Sequence, residues 1–306
     1  MKRNFKTLLR MACRALPFVL IAVIVLCVCF YPNRKKEETI KPCVVQIWHV
    51  DTFEGGKGSR ASFLKKVATR VEKSDNTLYY MIKTYTVEGA REALKEGQKP
   101  DILSFGIGFG DCAEGALPLS YRFSGGEIGS DCLAYPWAAG RYSLFCLEND
   151  FEKQGDTVIS EGGHNLAQAV ASFHAIAGET LPSTSAYVQF LNGKYRYLLG
   201  TQRDECRFQT RGVTVYRKDL NDYCDLYQYI SCLSAEKFEV CIKFIDCLLG
   251  KEMQESLSQI GMFPVSETQA KNTVCVFSSD EALNDFTQEL KGNGDRKKID
   301  KYLKSI

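Results

Sequence analysis

The chain has 306 residues, of which 45% are hydrophobic and 25% are charged, so it is long enough for two globular lobes of roughly 100 to 150 residues each. Its formal net charge of +2 gives no support to a nucleic-acid partner. The 13 cysteines include no C-x-x-C pair, and only three histidines are present to complete a metal site. We therefore expect no metal, no cofactor and mostly free, buried thiols rather than a disulfide framework.

The N-terminus combines a basic start with an apolar segment. Five lysines and arginines lie within the first 14 residues and precede an uncharged run of 16 residues at positions 16–31. This order is typical of a signal peptide or of a short signal anchor. Because no small-residue cleavage site follows, we favour an uncleaved transmembrane helix at 16–31 and a linker to residue 42, with the globular part outside the cell membrane.

From position 43 the hydrophobic pattern alternates between strands and helices. The apolar, β-branched segment after Pro42 is typical of a buried strand, and Ser59 stands where it can cap the next helix. This alternation predicts a parallel, doubly wound α/β sheet, in which ligands bind beyond the carboxyl ends of the strands. The predicted elements are strands at 43–48, 78–85 and 101–105 and helices at 59–73 and 86–96.

Two glycine-associated loops, at 48–54 and 104–108, follow the carboxyl ends of these strands. Glycine allows the backbone to approach a ligand closely. The first loop runs into EGGKGS at 54–59, which lacks the first glycine and the final hydroxyl residue of a phosphate-binding P-loop. The glycines at 106–110 likewise miss the spacing of a dinucleotide-binding fingerprint.

The segment at 131–150 is where the chain is predicted to pass from one lobe to the other; its sequence is DCLAYPWAAGRYSLFCLEND. A near-continuous apolar run of this kind is typical of buried strands. Tyr135-Pro136 interrupts the run, because a residue before proline is held extended and proline donates no hydrogen bond to a sheet. The small residues at 138–140 then suit a hinge.

The remainder of the chain is predicted to build a second lobe and to cross back twice. At 183–200 the local pattern is ambiguous, because Asn192-Gly193 between two aromatic-rich runs is typical of a hairpin. The other predicted elements are a helix at 165–177, a strand at 211–217, crossovers at 226–233 and 263–264, helices at 235–249 and 253–260, and two C-terminal helices around 283–290 and 299–306.

Five segments resemble, in the same order, bacterial extracellular solute-binding proteins, and in particular the maltose-type branch that serves ABC transporters. None of the segments is a strict signature alone, but together they extend over most of residues 43–277. They are 44–59, 99–110, 131–150, 191–204 and 244–266.

The resemblance implies a two-lobed α/β, periplasmic-binding-protein-like fold, with doubly wound sheets joined by a hinge of several crossovers. It assigns residues 43–138 and 230–264 to lobe I, and residues 139–229 and 265–306 to lobe II. It also favours a short helix, a turn and a strand over the hairpin at 183–200. The implied function is that of a membrane-anchored monomer that captures a small polar solute, with a carbohydrate favoured, and delivers it to an ABC permease without turnover.

The chain departs from this family in two respects. Only about 80 residues lie between the first two predicted crossovers, so the second lobe is expected to be shortened. In addition, Gly108 and Gly140 stand where the family's sugar binders often place carboxylates in the cleft. Those carboxylates have no counterparts at these two positions.

Candidate ligand-binding residues come from the strand ends, the hinge and the turn after a second-lobe strand. The two tryptophans are interpreted as stacking platforms for a sugar ring, with core packing as the alternative. Arg203 offers five donors to solute oxygens, with an internal salt bridge as the alternative, and His49 is expected in a loop. The full set is Trp48, His49, Asp51, Glu54, Phe105, Trp137, Tyr142, Gln202 and Arg203.

Two other functional classes remain open from the sequence. One is a ligand sensor or scaffold that uses the same fold without transport, and the other is an α/β enzyme. The sequence contains neither G-x-S-x-G nor H-E-x-x-H, so no catalytic residue is predicted.

The absence of a cleavage site after residue 31 generates the first prediction. Mature protein should retain its first 30 residues and sediment with membranes, because an uncleaved apolar segment anchors the chain. Intact-mass spectrometry of protein isolated from its native cells measures this directly. A mature N-terminus near Asn33 would show instead that the segment is a cleaved signal peptide.

Overall fold

A computed structural model of the chain describes residues 15–26, 42–113, 115–151, 156–163, 166–267 and 270–293, together with positions 299 and 303. The chain divides into a compact unit at 42–306 and a separate N-terminal unit at 1–41. In the N-terminal unit, residues 15–26 form helix α1. Among the residues described, no helix is both long enough and apolar enough to span a membrane, and positions 27–31 of the predicted anchor lie outside them.

Strands and helices account for most of the larger unit. The strands are β1 (Cys43–Val50), β2 (Leu78–Tyr85), β3 (Ile102–Phe105), β4 (Glu127–Ile128), β5 (Asp131–Cys132), β6 (Tyr135–Ala139), β7 (Tyr142–Cys146), β8 (Thr157–Glu161), β9 (Glu179–Pro182), β10 (Tyr197–Thr201), β11 (Tyr216–Leu220) and β12 (Tyr227–Cys232). The helices are α2 (Arg60–Ser74), α3 (Val87–Lys95), α4 (Ala167–Phe173), α5 (Ser183–Leu191), α6 (Gln202–Arg211), α7 (Phe238–Leu249), α8 (Lys251–Glu255) and α9 (Asp280–Asn293). Single 3₁₀ turns lie at Gly110–Ala113, Ser124–Gly126, Ser256–Ile260 and Val265–Glu267.

The first lobe is organised around a five-stranded sheet with the order β2-β1-β3-β12-β6. Strand β1 runs parallel to β2 and β3, whereas β12 runs antiparallel to both β3 and β6. The parallel arrangement predicted for the strands at 43–105 is confirmed, but the complete sheet is mixed and not parallel throughout. The βαβ alternation that suggested it covers only residues 43–105, and the two further strands come from the connections between lobes.

The second lobe contains the other five-stranded sheet, with the order β11-β7-β10-β8-β9. Here β10 runs parallel to β8, and β7 runs antiparallel to β10 and β11. Helices α5 and α6 cover one face of this sheet, where a separate apolar core forms from Phe145, Val158, Phe190, Leu198 and Phe208. The two sheets and their helices give a mixed α/β, two-lobed fold.

Only two residues, Gly140 and Arg141, separate β6 in the first sheet from β7 in the second. A Cβ atom at position 140 would lie 2.6 Å from Gln202 Oε1 and 2.7 Å from Leu226 Cβ, so this point of the crossover accepts only glycine without displacement. The chain returns between β11 and β12. A third pass occurs at Phe263, which exchanges two backbone hydrogen bonds of 2.9 Å with Ala139.

Several local predictions are confirmed, and others need correction. Ser59 caps α2, and residues 183–201 form the helix, turn and strand that the family resemblance favoured over a hairpin. The strand predicted at 211–217 lies instead at Tyr216–Leu220, because α6 continues to Arg211 before Gly212 ends it. Helix α4 is also shorter than predicted, and most of the last predicted helix, at 299–306, lies outside the described residues.

Of the cysteines described, none is in a disulfide and five are buried. The predicted lobe boundaries, 43–138 with 230–264 and 139–229 with 265–306, stay a prediction.

A buried carboxyl group joins the first two crossovers. Asp225, which precedes β12, accepts hydrogen bonds from the Tyr142 hydroxyl at 2.8 Å and from the Leu166 backbone N–H at 2.9 Å. Burial raises the pKa of Asp225 to about 7, although both hydrogen bonds oppose the shift. This group therefore connects the first residue of β7 to the return crossover.

The raised pKa predicts a pH-dependent stability. Between about pH 4 and pH 7 the Asp225 carboxyl is protonated in the folded protein but ionised in the unfolded chain. The folded state then binds more protons, so the free energy of unfolding falls as pH rises through this window, by up to about 4 kcal/mol. Urea unfolding at about pH 5 and about pH 8 should show this decrease, and Asp225→Asn should reduce it. Parallel pH profiles for the two proteins would contradict the assignment.

Candidate functional site

The hydroxyl of Ser104, at the end of β3, is the centre of a buried polar network. It is 3.1 Å from His49 Nδ1 on β1 and accepts hydrogen bonds from Trp137 Nε1 on β6 at 3.1 Å and Gln228 Nε2 on β12 at 3.2 Å. The Gln228 amide also donates to the backbone carbonyl of Val50. One hydroxyl therefore links four strands of the first sheet, including both strands that lead to the second lobe.

The network continues toward the surface through the histidine. His49 Nε2 lies 3.0 Å from Asp51 Oδ1, which is also 2.6 Å from the guanidinium of Arg60. Burial lowers the pKa of His49 despite the hydrogen bond to Asp51, which favours a neutral ring. Burial also disfavours ionised Asp51, but the hydrogen bond from His49 and the charge of Arg60 outweigh it and lower the pKa of Asp51 to about 2. These contacts fix the start of the loop that follows β1.

The order Ser104, His49, Asp51 has the connectivity of a catalytic triad, so an enzymatic role needs to be weighed. A consistent proton assignment has His49 Nε2–H donating to Asp51 and the Ser104 hydroxyl donating to Nδ1. Both acceptor positions of the Ser104 oxygen are then occupied by Trp137 and Gln228. Because Ser104 is also fully buried, this geometry supports a structural role and not a nucleophile.

Both tryptophans are fully buried, with 0% of their surface exposed. Trp48 packs on Tyr85 with ring centroids 4.6 Å apart, and Trp137 stacks on Phe63 at 5.7 Å. Phe105 is enclosed in the same way, against the rings of Tyr229 and Phe277. Core packing, the alternative to a stacking platform, therefore describes these side chains in this structure.

The expected loop position of His49 is also corrected, because β1 extends to Val50 and includes it. Tyr142 is buried at the crossover, where its hydroxyl donates a hydrogen bond to Asp225. Ligand contact by the buried candidates stays a prediction. Asp51, Glu54 and Arg203 are the candidates that retain partial exposure.

Direct polar contacts join the lobes along the loop at 51–58, hereafter the closing loop. Glu54 Oε2 accepts a hydrogen bond from Ser183 Oγ at 3.0 Å, and Oε1 lies 3.6 Å from Arg207 Nη2. The Gln202 side chain donates to the Glu54 carbonyl at 2.9 Å and accepts from the Arg141 N–H at 3.0 Å. Arg203 Nη1 donates to the Gly56 carbonyl at 2.8 Å. Three of the predicted residues, Glu54, Gln202 and Arg203, are thus brought together.

The glycines of the closing loop serve backbone packing. A Cβ atom on Gly56 would lie 2.2 Å from the carbonyl oxygen of Gly261, so only glycine fits this contact. The N–H groups of Lys57 and Gly58 both donate to the Ile260 carbonyl, at 3.1 and 3.3 Å. Those N–H groups are therefore engaged, which agrees with the exclusion of a phosphate-binding loop from the sequence.

A cavity of about 250 Å³ lies where the closing loop meets α6; its lining residues are Gly56, Lys57, Arg203, Cys206, Arg207, Thr210 and Arg211. Arg203, Arg207 and Arg211 are four residues apart, so they share one face of the helix. Arg203 Nε is buried with no hydrogen-bond partner in the part of the chain that the structure describes. We call the four cationic side chains of this cavity, Lys57 with the three arginines, the basic cluster.

The sequence pattern indicated Arg203 as a candidate site residue. It did not indicate Ser183, Lys57, Arg207 or Arg211. The i, i+4, i+8 spacing of the arginines was a visible signal, but the boundary of α6 was not recognised and residues 211–217 were predicted as a strand. Ser183 carried no local signal, because its contact with Glu54 joins residues 129 positions apart.

A much larger cavity of about 1040 Å³ lies on the second lobe, between the loop at 174–178 and strands β7, β8, β10 and β11. It contains none of the predicted site residues and is not between the lobes. Its lining includes Phe151 and Asp156, between which the described residues are interrupted. We therefore place the candidate site at the closing loop and α6. Across the described ranges, no group of three or more His, Cys, Asp or Glu side chains is placed to hold a metal ion.

Comparison with solved structures identifies solute-binding proteins with this fold. A cyclo/maltodextrin-binding protein in complex with maltotetraose aligns over 88% of this chain and 98% of its own, with 13% identity and a TM-score of 0.58. A maltodextrin-binding protein from L. casei BL23 aligns over 86% and 98%, with 12% identity and a TM-score of 0.58. The substrate-binding domain of a proposed molybdenum ABC transporter from Clostridium difficile aligns over 72% and 99%, with 10% identity and a TM-score of 0.52. No protein-family model and no curated protein matches the chain. At these identities the similarity shows the fold alone.

The burial of Trp48 generates a stability prediction. Trp48→Ala should lower the free energy of unfolding by about 3 to 5 kcal/mol, because it leaves a large cavity in the first lobe. Arg203→Ala should cost about 1 kcal/mol, since it removes one hydrogen bond at a partly exposed position. Urea unfolding followed by circular dichroism measures both changes. Equal stability of Trp48→Ala and wild type would show that this tryptophan is not a core residue.

Proposed function

We propose that this protein is the solute-binding component of an ABC transporter, and that it captures a small polar solute by closing its two lobes. The observation that carries this proposal is the contact between the closing loop and α6. It consists of a few polar side-chain and backbone hydrogen bonds between two lobes that are connected by short crossovers. Interfaces of this kind can open and close as rigid-body movements while the lobes stay intact.

The solved structures with this fold support the proposal, since two are maltodextrin-binding proteins and one is a transporter's substrate-binding domain. A carbohydrate remains a candidate solute for this chain. The proposal extends to a single-pass N-terminal anchor at the cell membrane, a monomeric extracellular binding unit and a permease partner. It includes binding without chemical turnover, which the buried and fully engaged Ser104 favours.

A ligand sensor or scaffold is a second candidate function, and one observation favours it. The closing loop contacts the second lobe directly, and six of the nine candidate residues are buried. A direct contact between the lobes changes the surface that a partner protein meets when the lobes close, so closure can be recognised without delivery of a solute to a permease. The two functions share the same site and differ in the partner that recognises closure.

Screening the full chain by thermal shift against sugars, amino acids and short peptides tests the proposed function. A specific solute at 100 times its Kd should raise the stability of the folded state by about 2.7 kcal/mol. Solute recovered after incubation should be chemically unchanged. A solute recovered as a reaction product would move the protein to the enzyme class, and stabilisation by none of these solutes would contradict the binding function.

A further inference from the structure

Of the four cationic side chains in the basic cluster, Arg207 is the one that pairs with a carboxylate among the residues described. Arg203 donates to a backbone carbonyl, and Arg211 lies over the ring of Tyr187 at 5.3 Å. Lys57 has no carboxylate within 4.0 Å among the residues that the structure describes. Arg207 pairs with Asp204, which is 1% exposed and also caps the helix by accepting from the Thr201 N–H. A cavity bounded by these side chains attracts an anion.

The carboxylate that reaches this region comes from the opposite lobe. Glu54 lies between Ser183 Oγ, at 3.0 Å, and the guanidinium of Arg207, at 3.6 Å. Arg207 also donates to Ser183 Oγ at 3.1 Å, so the two groups form one donor set. Ser183 begins α5, whose N-terminus has no side-chain cap, and a negative charge is favourable there. A hydroxyl, a guanidinium and a helix N-terminus together suit a carboxylate.

We propose that the second lobe contains a binding site for a carboxylate-bearing solute and that Glu54 occupies this site when no solute is bound. This inference rests on the proposed solute-binding function. The carboxylate of the solute replaces that of Glu54 between Ser183 and Arg207. The rest of the solute lies in the adjoining cavity, beside Lys57, Arg203 and Arg211. No bond is made or broken, because one carboxylate exchanges for another.

Chemical complementation of Glu54→Ala in the full chain tests the site without knowledge of the natural solute. Removing the Glu54 carboxylate leaves Ser183 and Arg207 free to bind a small external one. Sodium acetate should therefore raise the Tm of Glu54→Ala saturably, with half-saturation at least about tenfold lower than for wild type. Acetamide, which has the same shape without the charge, should have no such effect. Sodium chloride at equal ionic strength controls for screening.

Two further variants make the experiment specific. Glu205→Ala removes a carboxylate on α6 that pairs with Arg217 of β11, and it should show no acetate response beyond that of wild type. Adding Arg207→Gln to Glu54→Ala should abolish the acetate response. Glu54→Gln keeps the shape of the side chain and should respond more weakly than Glu54→Ala, which provides a second variant if the alanine protein folds poorly.

The site assignment is overturned if acetate and acetamide act equally, if Glu205→Ala responds as strongly as Glu54→Ala, or if the response survives loss of Arg207. Such a failure is distinguishable from failure of the proposed function. If a neutral sugar stabilises wild type while Glu54→Ala ignores acetate, solute binding stands and the carboxylate site falls. If acetate complements Glu54→Ala and the solute screen of wild type is negative, the site stands and the transport function falls.

Discussion

The hydroxyl of Ser104 holds together the part of the fold on which the lobes depend. By bonding to His49, Trp137 and Gln228 it fixes the ends of β1, β6 and β12 against β3. Breaking any one of these three hydrogen bonds is costly, because a buried polar group would then have no partner and no access to water. The same network positions Asp51 and Arg60, and so determines where the closing loop leaves the first sheet. One hydrogen-bond network therefore holds both the crossover strands, β6 and β12, and the start of the closing loop.

The contact between lobes is of a different physical kind. It places a partly exposed carboxylate, Glu54, among the cations and dipoles of the second lobe, where each interaction is modest and screened by salt. A closed state held by such contacts is separated from an open one by a small free energy, in contrast to the dense aromatic cores within each lobe. A solute then needs only a small differential affinity for the closed state to shift the population. A stable scaffold with a weakly closed cleft suits the proposed capture and release of a solute.

The two-lobed α/β fold and most element positions were predictable, because helix periodicity, Ser59 and the Pro136 interruption are local signals. The parallel direction of β1, β2 and β3 was also predictable, but the antiparallel direction of β12 was not, since β12 enters the first sheet from the second lobe and no local pattern encodes that. Three of the candidate site residues, Glu54, Gln202 and Arg203, meet across the lobes, and their contact with a ligand stays a prediction. Trp48 and Phe105 are buried because both faces of β1 and β3 are covered where these residues lie, so a position near a strand end does not expose them. The partnership of Ser183 with Glu54 depends on the closed arrangement, which the sequence does not specify locally.

The central claim is that Glu54 holds together two lobes that are able to separate. Single-molecule fluorescence transfer between dyes on genetically encoded amino acids at Lys65 on α2 and Asn192 after α5 measures the separation of the lobes, and both positions are exposed. We expect wild type to exchange between a short and a longer distance and Glu54→Ala to favour the longer one. A single, identical distance in wild type and Glu54→Ala would contradict the account.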